Sequence, residues 1–197
     1  LYVRTTLMPC NVTRQQEIIE YLFHQCQVTS EHLEPLYRVH GQGIPGFQPD
    51  KAELFVEHFL QAQTWAEHHG VTVSFSGIRY QELHGPYCNV LRNTLHLIPG
   101  NVATACFFTP DQDAAMRAKA IIGHWDQSIT TFVLDKKKIE NHRHAAHQMP
   151  ESCRNCPISY QCARGCPTRC HVLSDGQDIT SQFRCKASRL LAQHQIC

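Results

Sequence analysis

Residues 1–75 alternate between strand-like and helix-like patterns of apolar positions. Thr13 and Gln16 have the spacing of a capping box that opens a helix with an apolar stripe along one side. The pattern predicts strands at 1–8, 33–39 and 71–75 and helices at 14–27 and 50–69. Strands that alternate with helices at this spacing predict parallel βαβ units, and therefore an α/β fold.

The pattern changes near Gly77, where a smaller α+β domain is predicted to begin. A hairpin is expected to turn at Pro99-Gly100-Asn101, because these residue types favour tight turns. Its strands are predicted at 95–98 and 102–107, and helices are predicted at 112–124, 136–147 and 180–194. We therefore divide the chain into domains at 1–76 and 77–197. Because three parallel strands leave faces and edges uncovered, the first domain is expected to be the end of a larger α/β domain.

Composition and charge exclude several classes of protein. The chain is 42% hydrophobic, enough for a buried core, and its formal net charge of +1 does not favour nucleic-acid binding. No apolar run reaches the roughly 18 residues that span a bilayer. The opening LYVRTTLMPC lacks the layout of a signal peptide. We therefore expect a cytoplasmic protein that binds neither membrane nor nucleic acid.

Cysteine is the residue type that points to chemistry, with 11 in the chain. The central motif is Cys153-x2-Cys156-x5-Cys162-x3-Cys166. Disulfides are disfavoured by the odd count, the missing signal peptide and a chain large enough to fold without them. Thiolates at this spacing converge on a metal, and zinc sites usually come as two C-x2-C pairs, of which only one is present. The spacing therefore favours an iron–sulfur cluster, whereas Cys10 and Cys26 are expected to be small buried hydrophobes.

Three further cysteines complete a family pattern: Cys88 and Cys106 on either side of Gly100, and Cys185 after the central motif. This arrangement resembles the SPASM domain, the auxiliary cluster-binding module of many radical S-adenosylmethionine enzymes. The family pattern is C-x9–15-G-x4-C, a gap, C-x2-C-x5-C-x3-C, a gap and C. Here five residues separate Gly100 from Cys106, which a bulge in the hairpin would absorb. Residues 1–76 resemble the last strand–helix units of the partial (β/α) barrel that precedes the domain.

The resemblance implies two [4Fe-4S] clusters, which would serve electron transfer or substrate binding. Cys153, Cys156, Cys162 and Cys185 would hold the outer cluster, and Cys88, Cys106 and Cys166 the inner cluster. The fourth iron of the inner cluster is left open, or is bound by Cys170, His84 or Glu82.

One feature of the family is missing from this chain. It has no C-x3-C-x2-C loop, which binds the cluster that cleaves S-adenosylmethionine, so the chain alone is not expected to cleave it. S-adenosylmethionine and a third [4Fe-4S] cluster are expected only in a full-length parent enzyme.

The resemblance also implies partners for the parent enzyme. These are a peptide or protein substrate, crosslinked or oxidised by the parent, and an electron donor such as a flavodoxin or ferredoxin. Glu34 and Arg38 end a predicted strand and are candidates to line the substrate pocket. The alternative function is a structural zinc module that mediates interactions and has no redox role.

Overall fold

The computed structural model describes residues 1–36, 47–79, 95–105, 118, 120–147, 149, 151–162 and 182–196. Several predicted site residues lie outside the described residues: Arg38, Glu82, His84, Cys88, Cys106, Cys166 and Cys170. The fold is mixed α/β and forms two compact units. The first unit comprises Leu1–His84, Ser152–Arg164 and Ser174–Cys197, and the second comprises Gly85–Glu151 and Gly165–Leu173.

The first unit contains a three-stranded parallel sheet, as the alternating pattern predicted. Its strands are β1 (Tyr2–Leu7), β2 (Ser30–Pro35) and β3 (Thr72–Ser74), in the order β1-β2-β3. Helices α1 (Gln15–Cys26) and α2 (Ala52–His68) connect them. The register places Thr5 opposite Leu33 and His32 opposite Ser74. Strand β2 starts earlier than predicted, because its first residues are polar and hide the strand pattern.

The capping box predicted at Thr13 and Gln16 does not form. Short 3-10 turns precede α1 at Val12–Arg14 and α2 at Pro49–Lys51, and none of these helices or turns has a side-chain cap. The Asn11 side chain instead accepts a 2.6 Å hydrogen bond from the Met8 backbone N–H. The predicted end of α2 is correct, since Gly70 follows it with φ +69.

The buried faces of the sheet, α1 and α2 form one hydrophobic core with two later segments of the first unit. One segment is helix α5 (Phe183–Ile196), whose Phe183 ring lies 5.6 Å from that of Phe55 on α2. The other is the cysteine loop, residues 152–162, which buries Ile158 in the same core. The core thus joins the C-terminal segments to the parallel sheet.

The second unit contains a four-stranded antiparallel sheet in the order β4-β5-β6-β7. The β4–β5 hairpin turns where predicted, at Gly100 with φ +91, and its pairing from His96 to Ile98 is regular. The register instead shifts at Ala103/Thr104, in the pairing of β5 with β6. The strands are β4 (His96–Ile98), β5 (Val102–Thr104), β6 (Ile121–Asp126) and β7 (Thr131–Leu134).

The helix predicted at 112–124 is wrong at its end, because Ile121–Asp126 is strand β6. The run of β-branched and aromatic residues in β6 favours a strand over the helical spacing that we followed. Helix α3 (Lys136–His147) forms as predicted, and one further short helix, α4, covers Glu151–Arg154. No helix in the described residues is both long and apolar enough to cross a membrane.

Candidate metal centre

Backbone hydrogen bonds define the turns of the cysteine loop. The Cys156 N–H donates to the Cys153 carbonyl at 3.2 Å, and the Cys162 N–H donates to the Ile158 carbonyl at 2.9 Å. A further bond of 3.0 Å runs from the Ser159 N–H to the Cys156 carbonyl. Ile158 is only 5% exposed and packs in the hydrophobic core. The loop is therefore held by its own hydrogen bonds and by this buried side chain.

The loop is also paired with the segment that follows β3. Ile78 and Cys162 form an isolated antiparallel bridge, and the Arg79 N–H donates to the Gln161 carbonyl at 3.0 Å. Cys156 and Cys162 are partly buried against the hydrophobic core. The sheet of the first unit therefore sets the position of these two thiols.

Cys185 reaches the loop from helix α5, which is held in the core by Phe183 and Ala187. Its thiol interacts electrostatically with those of Cys153, Cys156 and Cys162. These interactions involve four cysteines from two distant segments of the chain. They are the four that the family resemblance assigns to the outer cluster.

Burial raises the pKa of the Cys185 thiol to about 11. The three neighbouring thiols raise its pKa further, whereas Arg189 lowers it. The charge of Cys185 is in turn the main reason why the pKa of Arg189 is raised. Without a bound cation, the Cys185 thiol is therefore protonated at neutral pH, and a metal that binds there must displace a proton.

All four side chains are thiols, a donor type that suits soft metal ions, whether a zinc ion or an iron–sulfur cluster. In the described part of the chain, no group of three or more His, Cys, Asp or Glu side chains is arranged to hold a metal ion. The four cysteines are therefore candidate ligands on the strength of their spacing in the sequence.

A second polar site lies on the face of the sheet that is turned away from α1 and α2. This polar face carries Arg4, His32, Glu34 and Ser74, which the register places on the same side. The carboxylate of Glu34 is 5% exposed and lies 2.8 Å from His32 Nε2 and 3.8 Å from the Arg4 guanidinium. His32 Nδ1 lies 3.0 Å from the Ser74 hydroxyl. Glu34, a predicted pocket residue, is thus the centre of a hydrogen-bonded network.

Arg184 was not predicted as a site residue, and it joins this network from helix α5. Its guanidinium donates to Glu34 Oε1 at 3.3 Å and to the Ser76 carbonyl at 2.6 Å. Ser76 also donates to Glu34 Oε1 at 2.7 Å. Arg184 therefore hydrogen bonds to the polar face, whereas the next residue of α5, Cys185, interacts electrostatically with the thiols of the cysteine loop. Only the place of Arg184 directly before a proposed ligand could have drawn attention to it.

The prediction for Cys10 and Cys26 is wrong, since both side chains are exposed. Cys10 lies in the turn after β1, and Cys26 is the last residue of α1, where the helix leaves the core. The apolar stripe of α1 thus ends before Cys26.

Comparison of the chain with protein-family models, with curated proteins and with solved structures gave no match.

Proposed function

We propose that the chain is the auxiliary cluster-binding portion of a radical S-adenosylmethionine enzyme. The first three strands would be the end of its partial barrel, and the cysteine-rich part a SPASM domain. The observation that supports this function is the electrostatic interaction of Cys185 on helix α5 with Cys153, Cys156 and Cys162. These residues are the outer ligand set of the family pattern, and they come from two distant segments of the chain.

In this proposal the four thiolates hold the outer [4Fe-4S] cluster. When bound, such a cluster supplies an electron or accepts one at low potential. The loop and its bridge to Ile78 would hold Cys156 and Cys162 in place, and helix α5 would hold Cys185. Because these elements share one core, holding the ligands and folding the first unit are coupled.

The remaining parts of the function rest on the sequence pattern. Cys88, Cys106 and Cys166 would hold the inner cluster, with the fourth iron open or bound by Cys170, His84 or Glu82. The parent enzyme would modify a peptide or protein in a reducing compartment, with electrons from a flavodoxin- or ferredoxin-like donor. The polar face around Glu34 would line the substrate side of the barrel, since catalytic pockets form at the carboxyl ends of barrel strands.

Anaerobic reconstitution of the chain, followed by quantitation of iron, sulfide and zinc, tests this function. We expect about eight iron and eight sulfide per chain, or about four if only the outer cluster assembles. Cys185→Ser is expected to lose about four of each, because it removes one of four ligands. Cys26→Ser is the matched control, since that thiol is exposed and belongs to neither ligand set.

The alternative is the structural zinc module. Stoichiometric zinc with no uptake of iron would establish it and overturn the cluster-binding function. Equal iron content in the Cys185→Ser and wild-type proteins would also contradict the proposed ligand set. Failure to bind either metal after reconstitution would exclude both functions.

A further inference from the structure

Three side chains on the polar face of the parallel sheet are joined in a line by hydrogen bonds. His32 Nε2 lies 2.8 Å from Glu34 Oε2, and His32 Nδ1 lies 3.0 Å from the Ser74 hydroxyl. The register places Ser74 of β3 beside His32 of β2, and Glu34 follows His32 by two residues, so the three share one face. A hydroxyl, an imidazole and a carboxylate in this order are the parts of a serine-nucleophile triad.

The other contacts of the Glu34 carboxylate determine the tautomer of His32. Oε1 of Glu34 accepts hydrogen bonds from the Ser76 hydroxyl at 2.7 Å and from the Arg184 guanidinium at 3.3 Å, and Oε2 faces His32. Because a carboxylate only accepts hydrogen bonds, we assign the proton of the neutral ring to His32 Nε2. The lone pair of Nδ1 then faces Ser74. In this tautomer the imidazole can act as a base toward the Ser74 hydroxyl.

The triad is buried at its carboxylate end and accessible at its hydroxyl end. The side chains of Glu34 and His32 are 5% and 13% exposed, whereas Ser74 is partly exposed. The Ser74 hydroxyl also lies 3.4 Å from the Glu31 carbonyl, a longer contact that competes weakly for its proton. A buried carboxylate behind the imidazole and an accessible hydroxyl in front of it are the arrangement that nucleophilic attack needs.

Arg4 provides a cation on the opposite side of His32 from Ser74. The register aligns Arg4, His32 and Ser74 across the three strands, which places the backbones of Arg4 and Ser74 about 10 Å apart. The Arg4 side chain is 56% exposed, although it lies 3.8 Å from Glu34. A ligand with a negatively charged group can therefore contact Arg4 while its carbonyl carbon lies at Ser74.

We propose that Ser74 is a nucleophile for acyl transfer, with His32 as its base and Glu34 as a positioning residue, and that its substrates are esters or thioesters of anionic acids. Ser74 Oγ attacks the carbonyl carbon while its proton passes to His32 Nδ1. The C–O or C–S bond to the leaving group then breaks, and His32 returns the proton to the departing alcohol or thiol. Water attacks the acyl-serine by the same route, which releases the acid and restores Ser74.

Labelling with a fluorophosphonate probe, followed by peptide mass spectrometry, tests the proposal. Ser74 Oγ bonds to phosphorus and fluoride leaves, so an activated serine is marked covalently. We expect stoichiometric label on Ser74 in the wild-type chain and none at this position in Ser74→Ala. His32→Gln should slow labelling at least about 100-fold, the usual contribution of a general base. Ser30→Ala is the matched control and should label at the wild-type rate, because Ser30 lies on the same face of β2 outside the triad.

Glu34 acts through His32, so the pH profile of labelling tests its role. The wild-type rate should fall at low pH, when the imidazole takes up a proton and is no longer a base. Glu34→Gln should move this fall to lower pH, because the imidazolium loses an adjacent negative charge while Arg4 and Arg184 remain. An unchanged pH profile in a folded Glu34→Gln variant would contradict the positioning role.

The outcomes separate this proposal from cluster binding, because the triad uses none of the thiols. Absence of label on Ser74 in the wild-type chain would overturn the proposal whatever the metal content. Equal labelling rates in His32→Gln and wild type would also overturn it, since the imidazole would then not be the base. Hydrolysis of an anionic p-nitrophenyl ester that Ser74→Ala abolishes would support it. A wild-type chain that is labelled at Ser74 but binds no iron would support the triad and contradict the cluster-binding function alone.

Discussion

Glu31 carries a carboxyl group in a buried environment that disfavours its charged form. Its side chain is fully buried on the helix-facing side of β2, and within the described residues neither carboxylate oxygen has a hydrogen bond of good geometry. Burial raises the pKa of the Glu31 carboxyl, an effect that the Thr5 hydroxyl and nearby His32 oppose only in part. The sequence pattern did not predict this, because an acidic residue at the start of a strand is usually solvated.

The raised pKa of Glu31 predicts how the stability of the Glu31→Gln variant, relative to wild type, changes with pH. Above the ordinary carboxyl pKa of 4.5, the folded state retains a proton that the unfolded state has released. Stability from this group is therefore greatest below pH 4.5 and is lost as pH rises through the folded pKa. Because glutamine carries no charge to desolvate, the variant should gain stability relative to wild type as pH rises from 4.5. Urea denaturation from pH 4 to pH 8 measures this difference.

Glu57→Gln on the exposed face of α2 is the control for the Glu31 measurement. We expect its difference from wild type to stay within about 0.5 kcal/mol over the same range, as is usual for surface substitutions. A Glu31→Gln variant whose advantage shrinks with rising pH would show that the carboxylate has a stabilising partner when ionised.

At the level of secondary-structure elements, the sequence predicted the strands, helices and turns that hydrophobic periodicity and turn residues determine locally. The parallel strands, α1, α2 and the Gly100 hairpin all follow from local patterns. The missed elements depend on tertiary contacts. Strand β6 is stabilised by pairing with both β5 and β7, and the early residues of β2 by pairing with β1 and β3. For the candidate site, the spacing of the cysteines predicted the ligands. The positions of Arg184 and Arg189 depend instead on how α5 packs, which no local pattern encodes.

The packing of α5 depends on the close approach of Gly77, just after β3. A Cβ atom at this position would overlap the Phe75 ring and lie 2.5 Å from the Ser188 hydroxyl on α5. We expect Gly77→Ala to displace α5 and to lower the free energy of unfolding by about 1–3 kcal/mol, as overpacked cores do. Because Cys185 lies on α5, iron retained after reconstitution should fall as well. Denaturant unfolding and iron quantitation measure the two effects.

Gly70→Ala separates displacement of α5 from a general loss of stability. Gly70 has φ +69 but open space around the position of a Cβ atom. Its substitution should cost about 1 kcal/mol through backbone strain alone and leave the iron content unchanged. Equal iron content in both glycine variants would mean that the close approach of α5 to Gly77 does not position Cys185.

At the scale of the whole molecule, the described parts of the proposed outer site belong to one compact unit. The cysteine loop and α5 are distant in sequence from the parallel sheet, yet they share its core. The contacts that link the site to the sheet and to the segment after it include the bridge from Cys162 to Ile78 and the ion pair from Arg184 to Glu34. Removal of the metal should therefore destabilise α5 and the segment after β3 more than the rest of the chain.

Hydrogen exchange of the reconstituted and chelator-treated protein tests this localisation. We expect removal of iron to accelerate amide exchange in α5 and the cysteine loop, because the two segments lose the metal that links their four cysteines. Strands β6 and β7 of the second unit, which contain none of the proposed ligands, provide the internal reference. Cys185→Ser should reproduce the pattern in α5 without chelator. Uniform acceleration across both units would instead mean that the metal stabilises the chain globally, and unchanged exchange in α5 would mean that Cys185 is not a ligand.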